Sequence, residues 1–97
     1  NAQDSKYRTG EFHVNGVCDE CKERIENAAY IKGVKHCEWN KELQTLSVIY
    51  NPVKVDLIQI HESIAAAGHD TDSVKATEDA YRKLPGCCKY RDGIHVH

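Results

Sequence analysis

The chain has 97 residues and a mass of 11.0 kDa, which suits one small domain and excludes a barrel enzyme, a doubly wound sheet or two cores. Its net charge is −2, and residues 12–74 carry six Lys and Arg against ten Asp and Glu, so it lacks the basic stripe of a nucleic-acid-binding protein. No stretch approaches the about 18 apolar residues that a membrane-spanning helix needs.

The apolar residues divide the chain into three parts. Residues 12–74 hold 17 of its 20 Val, Ile, Leu and Phe side chains, and these are the residues that build a core. We therefore predict a flexible leader over residues 1–10, a folded domain over residues 11–75 and a tail over residues 76–97.

A strand and a helix are the first predicted elements. Residues 11–15 alternate polar and apolar side chains and end at Gly16, which is typical of a short strand with one buried face. Residues 19–31 place apolar side chains at helical spacing, begin with two acidic residues that suit the helix dipole, and precede Gly33 as a stop signal. The pattern predicts a β-strand followed by an α-helix.

Two strands joined by a short turn follow. Residues 34–39 and 43–50 have strand patterning, and the three residues between them fit a hairpin. Cys37 and Trp39 share the face that we assign to the core, where a cysteine commonly behaves as a small buried hydrophobe.

A second helix and a last strand complete the predicted fold. Asp56 is the predicted N-cap with Gln59 as its capping-box partner, and apolar residues follow at helical spacing as far as Gly68. Residues 69–74 supply the final strand, so the order is β-α-β-β-α-β. We predict an α+β, ferredoxin-like split βαβ fold: a four-stranded antiparallel sheet with two helices on one face. In the tail, residues 78–84 predict one or two helical turns.

Cys18 and Cys21 form a C-x-x-C motif where the first loop meets the first helix. Backbone N–H groups at a helix N-terminus favour the thiolate, which is the form that binds metals. Two thiolates suit a soft ion such as Cu(I), whereas a closed zinc site takes four ligands. The motif therefore predicts a soft-metal site.

The residues around this motif are similar to those of a known family. Over residues 11–75 the chain resembles the heavy-metal-associated domain, a family that includes copper chaperones, modules of metal-transporting ATPases and a periplasmic mercury-binding protein. The matching segments are Val14-Asn15-Gly16-Val17-Cys18-Asp19-Glu20-Cys21, Ile25-Glu26-Asn27-Ala28, Lys32-Gly33-Val34, Tyr50-Asn51-Pro52 and Ala67-Gly68-His69-Asp70. The resemblance implies the same fold and a metal site at Cys18 and Cys21. One departure is Gly16, where the family usually has a Met packed beneath the metal loop.

Further candidate ligands lie elsewhere in the chain. His69 stands where the family commonly has Tyr or Lys; it would ligate the ion, hydrogen-bond to a cysteine sulfur, or lie exposed in a loop. Cys87 and Cys88 would complete a three- or four-sulfur site if the tail folds back, or else form a disulfide or stay as thiols. His95 and His97 place two imidazoles on one side of an extended terminus, where they would bind Cu(II) or Ni(II) unless that terminus is frayed. His13, His36 and His61 have no ligand partners nearby in the sequence, and we expect them to be solvated.

These features predict a non-enzymatic carrier of a soft metal ion. Cu(I) is the first candidate and Hg(II) the second, with Zn(II) and Cd(II) also compatible with sulfur ligands. The expected partner is a metal-transporting ATPase, another metal transporter or another metal-binding protein, which would take the ion by ligand exchange. We expect a monomer, with a metal-bridged dimer as the alternative.

Two other functions fit the same motif. A thiol–disulfide oxidoreductase also places C-x-x-C at a helix N-terminus, and an interaction module would use Cys18 and Cys21 for a structural disulfide. Because the chain starts without Met and the family's tailed members are usually exported, we predict a periplasmic or exported protein; the alternative is cytoplasmic.

Overall fold

A three-stranded antiparallel sheet and two helices packed on one of its faces form the domain. The computed structural model describes residues 6–85. Its elements in chain order are β1 (Arg8–His13), α1 (Asp19–Ala29), β2 (Val34–Asn40), β3 (Thr45–Tyr50), α2 (Leu57–Ala66) and α3 (Glu78–Arg82). None of these helices is long and apolar enough to cross a membrane.

The sheet supplies one wall of the core. Its strand order is β1-β3-β2, and Phe12 and Trp39 flank Leu46 in the antiparallel registers. These three side chains are buried together with Ile25 of α1 and Ile60 of α2. The predicted α+β split βαβ architecture is confirmed, including the core face assigned to Trp39.

The last predicted strand is reduced to one isolated bridge, between Val14 and Thr71. The chain turns back there because the Thr71 N–H donates to the Val74 carbonyl oxygen (2.8 Å) and the Val74 N–H donates to Thr71 Oγ1 (2.9 Å). A threonine side chain that bonds a nearby backbone group in this way competes with a strand ladder. The described part of the sheet therefore has three strands where four were expected.

The element boundaries follow from the local backbone. β1 begins at Arg8, inside the predicted leader, and β3 begins at Thr45 because Gln44 has the left-handed φ of a turn, 55°. α1 is followed by Gly33 at φ 101°, where an added Cβ would lie 2.8 Å from Val55 Cγ1. The predicted capping box of α2 is present, with the Asp56 N–H donating to Gln59 Oε1 at 2.8 Å.

The segment after α2 packs on the domain. Thr77 caps α3, and Tyr81 and Leu84 are both 5% exposed and belong to the core. Gly68 lets α3 approach the end of α2 closely: a Cβ at this position would lie only 2.9 Å from the Ala80 carbonyl oxygen. The short helix predicted over residues 78–84 is thus present and lies against the C-terminal end of α2.

The prediction that His61 is solvated is wrong, while His13 and His36 are exposed as expected. His61 is 4% exposed and stacks on Phe12 with ring centroids 3.8 Å apart. Its Nδ1 lies 2.6 Å from Thr71 Oγ1. Burial lowers the His61 pKa, so the ring is neutral near pH 7 and fits between the sheet and the turn.

Candidate metal site

The loop between β1 and α1 is fixed from below by Gln44. The Val14 N–H donates to the Gln44 carbonyl oxygen (2.9 Å), and the Gly16 N–H donates to Gln44 Oε1 (3.0 Å). The Gln44 side-chain amide in turn donates to the Lys41 carbonyl oxygen (2.9 Å), within the hairpin turn. The β2–β3 hairpin thereby holds the loop that leads into Cys18.

Trp39 fills the space beneath this loop. Its Nε1–H donates to the Val14 carbonyl oxygen at 3.0 Å, and its ring is 1% exposed. A Cβ on Gly16 would lie 3.0 Å from the Trp39 ring and 3.2 Å from the Cys21 Cβ. Only glycine fits between them without a shift, which accounts for the missing side chain at Gly16.

His69 holds the loop from a third direction. Its Nδ1–H donates to the Asn15 carbonyl oxygen at 2.8 Å, and the Asn15 N–H donates to the Asp70 carbonyl oxygen at 2.9 Å. The His69 side chain is fully buried, and burial, aided by Arg24, lowers its pKa to about 4. The expectation of an exposed loop histidine is wrong, and His69 is a neutral hydrogen-bond donor to the loop backbone. Ligation of an ion by His69 stays a prediction.

The two sulfur atoms of the motif lie side by side at the start of α1. Cys18 is the N-cap and is partly exposed, Cys21 is buried one turn later, and their Sγ atoms are 3.5 Å apart. A disulfide bond is about 2.05 Å long, so the alternative of a Cys18–Cys21 disulfide is wrong for this structure. Cys18 keeps its thiol, whereas Cys21 is disulfide-bonded and has no proton. Cys18 is therefore the donor in the contact between the two sulfurs.

Cys37 has a structural role. It keeps its thiol, which donates to the Glu26 carbonyl oxygen at 3.3 Å, and burial raises its pKa, with a smaller contribution from the Glu26 carboxylate. A thiol with a raised pKa is a poor ligand. This agrees with the prediction that Cys37 belongs to the core.

Glu26 also fixes α1 against the edge strand β2. Its Oε2 accepts from the Lys22 ammonium (2.6 Å) and from the Trp39 N–H (2.9 Å), and Lys22 donates to the Trp39 carbonyl oxygen (3.0 Å). The hydrogen bond to Glu26 raises the Lys22 pKa. The helix that carries Cys21 is thus tied to the strand that carries Trp39.

The structure brings Cys18 and Cys21 together and places His69 under their loop. The other predicted candidates, Cys87, Cys88, His95 and His97, lie outside the described residues. Within residues 6–85 no group of three or more His, Cys, Asp and Glu side chains is arranged to hold a metal. The candidate site in that range is a pair of sulfur atoms.

Comparisons with known proteins agree with this geometry. The heavy-metal-associated domain model matches residues 11–70, and the chain belongs to that family. A solved CopZ metallochaperone is 32% identical over 66% of this chain and 98% of its own, with a TM-score of 0.63. The N-terminal domain of a potential copper-translocating P-type ATPase from Bacillus subtilis, solved in the Cu(I)-loaded state, is 28% identical over 73% of this chain and 99% of its own, with a TM-score of 0.63.

A more distant structure shows the fold alone. Oxidized MerP from Ralstonia metallidurans CH34 is 20% identical over 68% of this chain and 94% of its own, with a TM-score of 0.64. No curated protein matches the sequence.

Proposed function

We propose that the protein binds one soft metal ion between Cys18 and Cys21 and passes it to another protein, as a metal carrier and not an enzyme. The observation that carries the proposal is the 3.5 Å separation of two sulfur atoms on a loop that is held from three sides. Cu(I) is the first candidate ion, supported by the CopZ metallochaperone and the Cu(I)-loaded ATPase domain among the similar structures. Hg(II), Zn(II) and Cd(II) are the alternatives.

The sulfur positions need only modest adjustment to hold an ion. At the zinc–sulfur bond length of about 2.3 Å, an ion would set the two sulfurs about 3.8 Å apart at a tetrahedral angle and about 4.6 Å apart in a linear arrangement. Cys21 is buried and fixed in the helix, so the widening falls on Cys18, which is partly exposed at the N-cap. The same exposure gives an incoming thiolate from a partner access to the ion.

Binding in this manner requires reduced Cys21. Two electrons and two protons from a thiol reductant convert its disulfide to thiols, and the ion then displaces the protons of Cys18 and Cys21. Transfer proceeds when a thiolate of the partner bonds to the ion before Cys18 leaves it. We propose a metal transporter or another metal-binding protein as that partner, with the carrier acting as a monomer.

The test is a Cu(I) titration of reduced full-length protein against a competing chromophoric chelator. We expect one ion per chain, and loss of this binding in Cys18→Ser/Cys21→Ser with the circular dichroism spectrum unchanged. Cys37→Ser is the matched control, because it removes a thiol outside the site and should bind as the unaltered protein does. Full affinity in the double variant would refute the proposal.

The tail cysteines are tested by the same titration. We propose that Cys87 and Cys88 are additional ligands, so Cys87→Ser/Cys88→Ser should lower the Cu(I) affinity without abolishing binding. Unchanged affinity would limit the site to Cys18 and Cys21, with His69 as the remaining candidate ligand.

One observation favours thiol–disulfide exchange as a second candidate function. The Cys18 thiol lies 3.5 Å from a sulfur that is in a disulfide, so a Cys18 thiolate has a sulfur within reach to attack. Attack would form a Cys18–Cys21 disulfide and release the former partner of Cys21 as a thiolate, with no net oxidation. Catalysed reduction of insulin by dithiothreitol, without added metal, would support this function, and absence of turnover would exclude it.

A further inference from the structure

The end of the domain opposite the metal loop carries a surface that metal binding does not use. We call it the basic–aromatic surface, and it lies where α1 ends, β2 begins and β3 ends. Cys18 is at the other end of α1, whose 11 residues span about 16 Å at about 1.5 Å per residue. The surface consists of the exposed or partly exposed side chains of Tyr7, Tyr30, Lys32, Lys35, Val53 and Lys54.

Tyrosines and lysines from three chain segments meet in this surface. A groove of about 280 Å³ is lined by Tyr7, Tyr30, Lys35 and Lys54 among others. The Lys35 ammonium lies 4.7 Å from the centroid of the Tyr7 ring, a cation–π contact. A Cβ on Gly33 would lie 3.1 Å from the Lys54 Cβ, so the turn after α1 touches the turn after β3.

The charge of the surface has one sign. Lys32, Lys35 and Lys54 are exposed, and none of them forms an ion pair within residues 6–85. Over the same residues no acidic side chain lines the groove. Arg8, exposed and opposite Tyr50 in the β1–β3 register, adds positive charge at this end. The surface therefore attracts an anionic ligand.

Apolar groups stand beside these charges. Val53 is 90% exposed and Tyr30 is 62% exposed. An anionic bilayer accepts both kinds of group at once: lysines meet the headgroups, and tyrosine and valine enter the interfacial layer. We propose that the basic–aromatic surface docks the protein on an anionic lipid bilayer, with the Cys18–Cys21 loop at the far end, accessible to a partner.

The test uses reduced, metal-free, full-length protein, so its result is independent of metal binding. Co-sedimentation with phosphatidylglycerol–phosphatidylcholine vesicles should show binding that weakens as salt is raised, and vesicles of phosphatidylcholine alone should show none. Each lysine contributes about 1 kcal/mol near such a surface, so Lys35→Glu/Lys54→Glu should lower the partition coefficient by about 30-fold or more. Val53→Ser should lower it several-fold.

The matched control reverses the charge of two exposed lysines outside the basic–aromatic surface. Lys75→Glu/Lys83→Glu changes the net charge equally in the segment that follows α2, and it should bind anionic vesicles within about threefold of the unaltered protein. Absence of binding to anionic vesicles would overturn the proposal. So would an equal loss in both double variants, or self-association that involves Lys35 and Lys54 in place of vesicle binding.

Discussion

A single added carbon at Gly16 tests how the metal loop is packed. The Cβ of an alanine there would lie 3.0 Å from Cη2 and Cζ2 of Trp39 and 3.2 Å from the Cys21 Cβ, whereas carbon atoms in good contact are about 3.5–4.0 Å apart. Trp39 has no room to retreat, because it is 1% exposed and its Nε1–H is bonded to the Val14 carbonyl oxygen. The loop must therefore move by several tenths of an ångström, and Cys21 with it.

We expect Gly16→Ala to lower the free energy of unfolding by about 1–3 kcal/mol, the usual cost of overpacking. The Tm should fall by about 4–8 °C for each kcal/mol in a domain of this size. Urea unfolding of the reduced full-length protein measures the free energy, and a chelator competition measures the accompanying loss of Cu(I) affinity.

Trp39→Phe supplies the control for this prediction, because it removes the outer ring atoms that the new Cβ would touch. In that background Gly16→Ala should cost less, with a coupling free energy above about 0.5 kcal/mol. A change of less than about 0.5 kcal/mol in the free energy of unfolding on Gly16→Ala, or an equal change in both backgrounds, would contradict the close packing of Gly16 on Trp39.

Substitutions at three other positions test the contacts that support the site. The pKa of His69 is lowered to about 4 in the fold, below its ordinary value of 6.5. Neutral His69 therefore contributes fully to the free energy of unfolding above pH 6.5. As the pH falls from 6.5 towards 4, that contribution is lost, by at most about 3 kcal/mol. His69→Asn keeps a donor for the Asn15 carbonyl oxygen. In this variant the free energy of unfolding, measured in urea, should depend less on pH over that range, and the remaining dependence, of the same sign, comes from His61. An unchanged pH dependence would contradict this. Glu26→Ala should destabilise the fold by about 1–3 kcal/mol through the unpaired Trp39 N–H, and Glu26→Gln by less, whereas equal losses would refute the role of its acceptor oxygen. Gly68→Ala should cost at least about 1 kcal/mol, because Gly68 has φ 109° and faces the Ala80 carbonyl oxygen, and an unchanged Tm would count against that contact.

Local patterns predicted most of the fold. The start of α1, the Asp56–Gln59 capping box, the β2–β3 hairpin and the burial of Trp39 all follow from spacing and from cap or turn residues within a few positions. The pair of sulfurs was predicted for the same reason, since a C-x-x-C at a helix N-terminus places both in one turn.

The sequence patterns did not predict contacts between residues that lie far apart along the chain. Thr71 interrupts the last strand because its side chain accepts from the Val74 N–H. The burial of His61 and His69 depends on packing against β1 and the loop that follows it. Gln44, which has a left-handed backbone conformation, accepts with its side chain from the Gly16 N–H, 28 residues earlier. Spacing along the chain carries no signal for such contacts. The exported location and the tail ligands stay predictions.

X-ray absorption at the copper edge of the one-to-one Cu(I) complex identifies the atoms that hold the ion. The protein should show a first shell of at least two sulfur atoms, with the same spectrum in Cys37→Ser. In Cys18→Ser/Cys21→Ser that sulfur shell should be lost. A first shell of nitrogen or oxygen in the unaltered protein, or a sulfur shell that persists in the double variant, would contradict the assignment of the ion to Cys18 and Cys21.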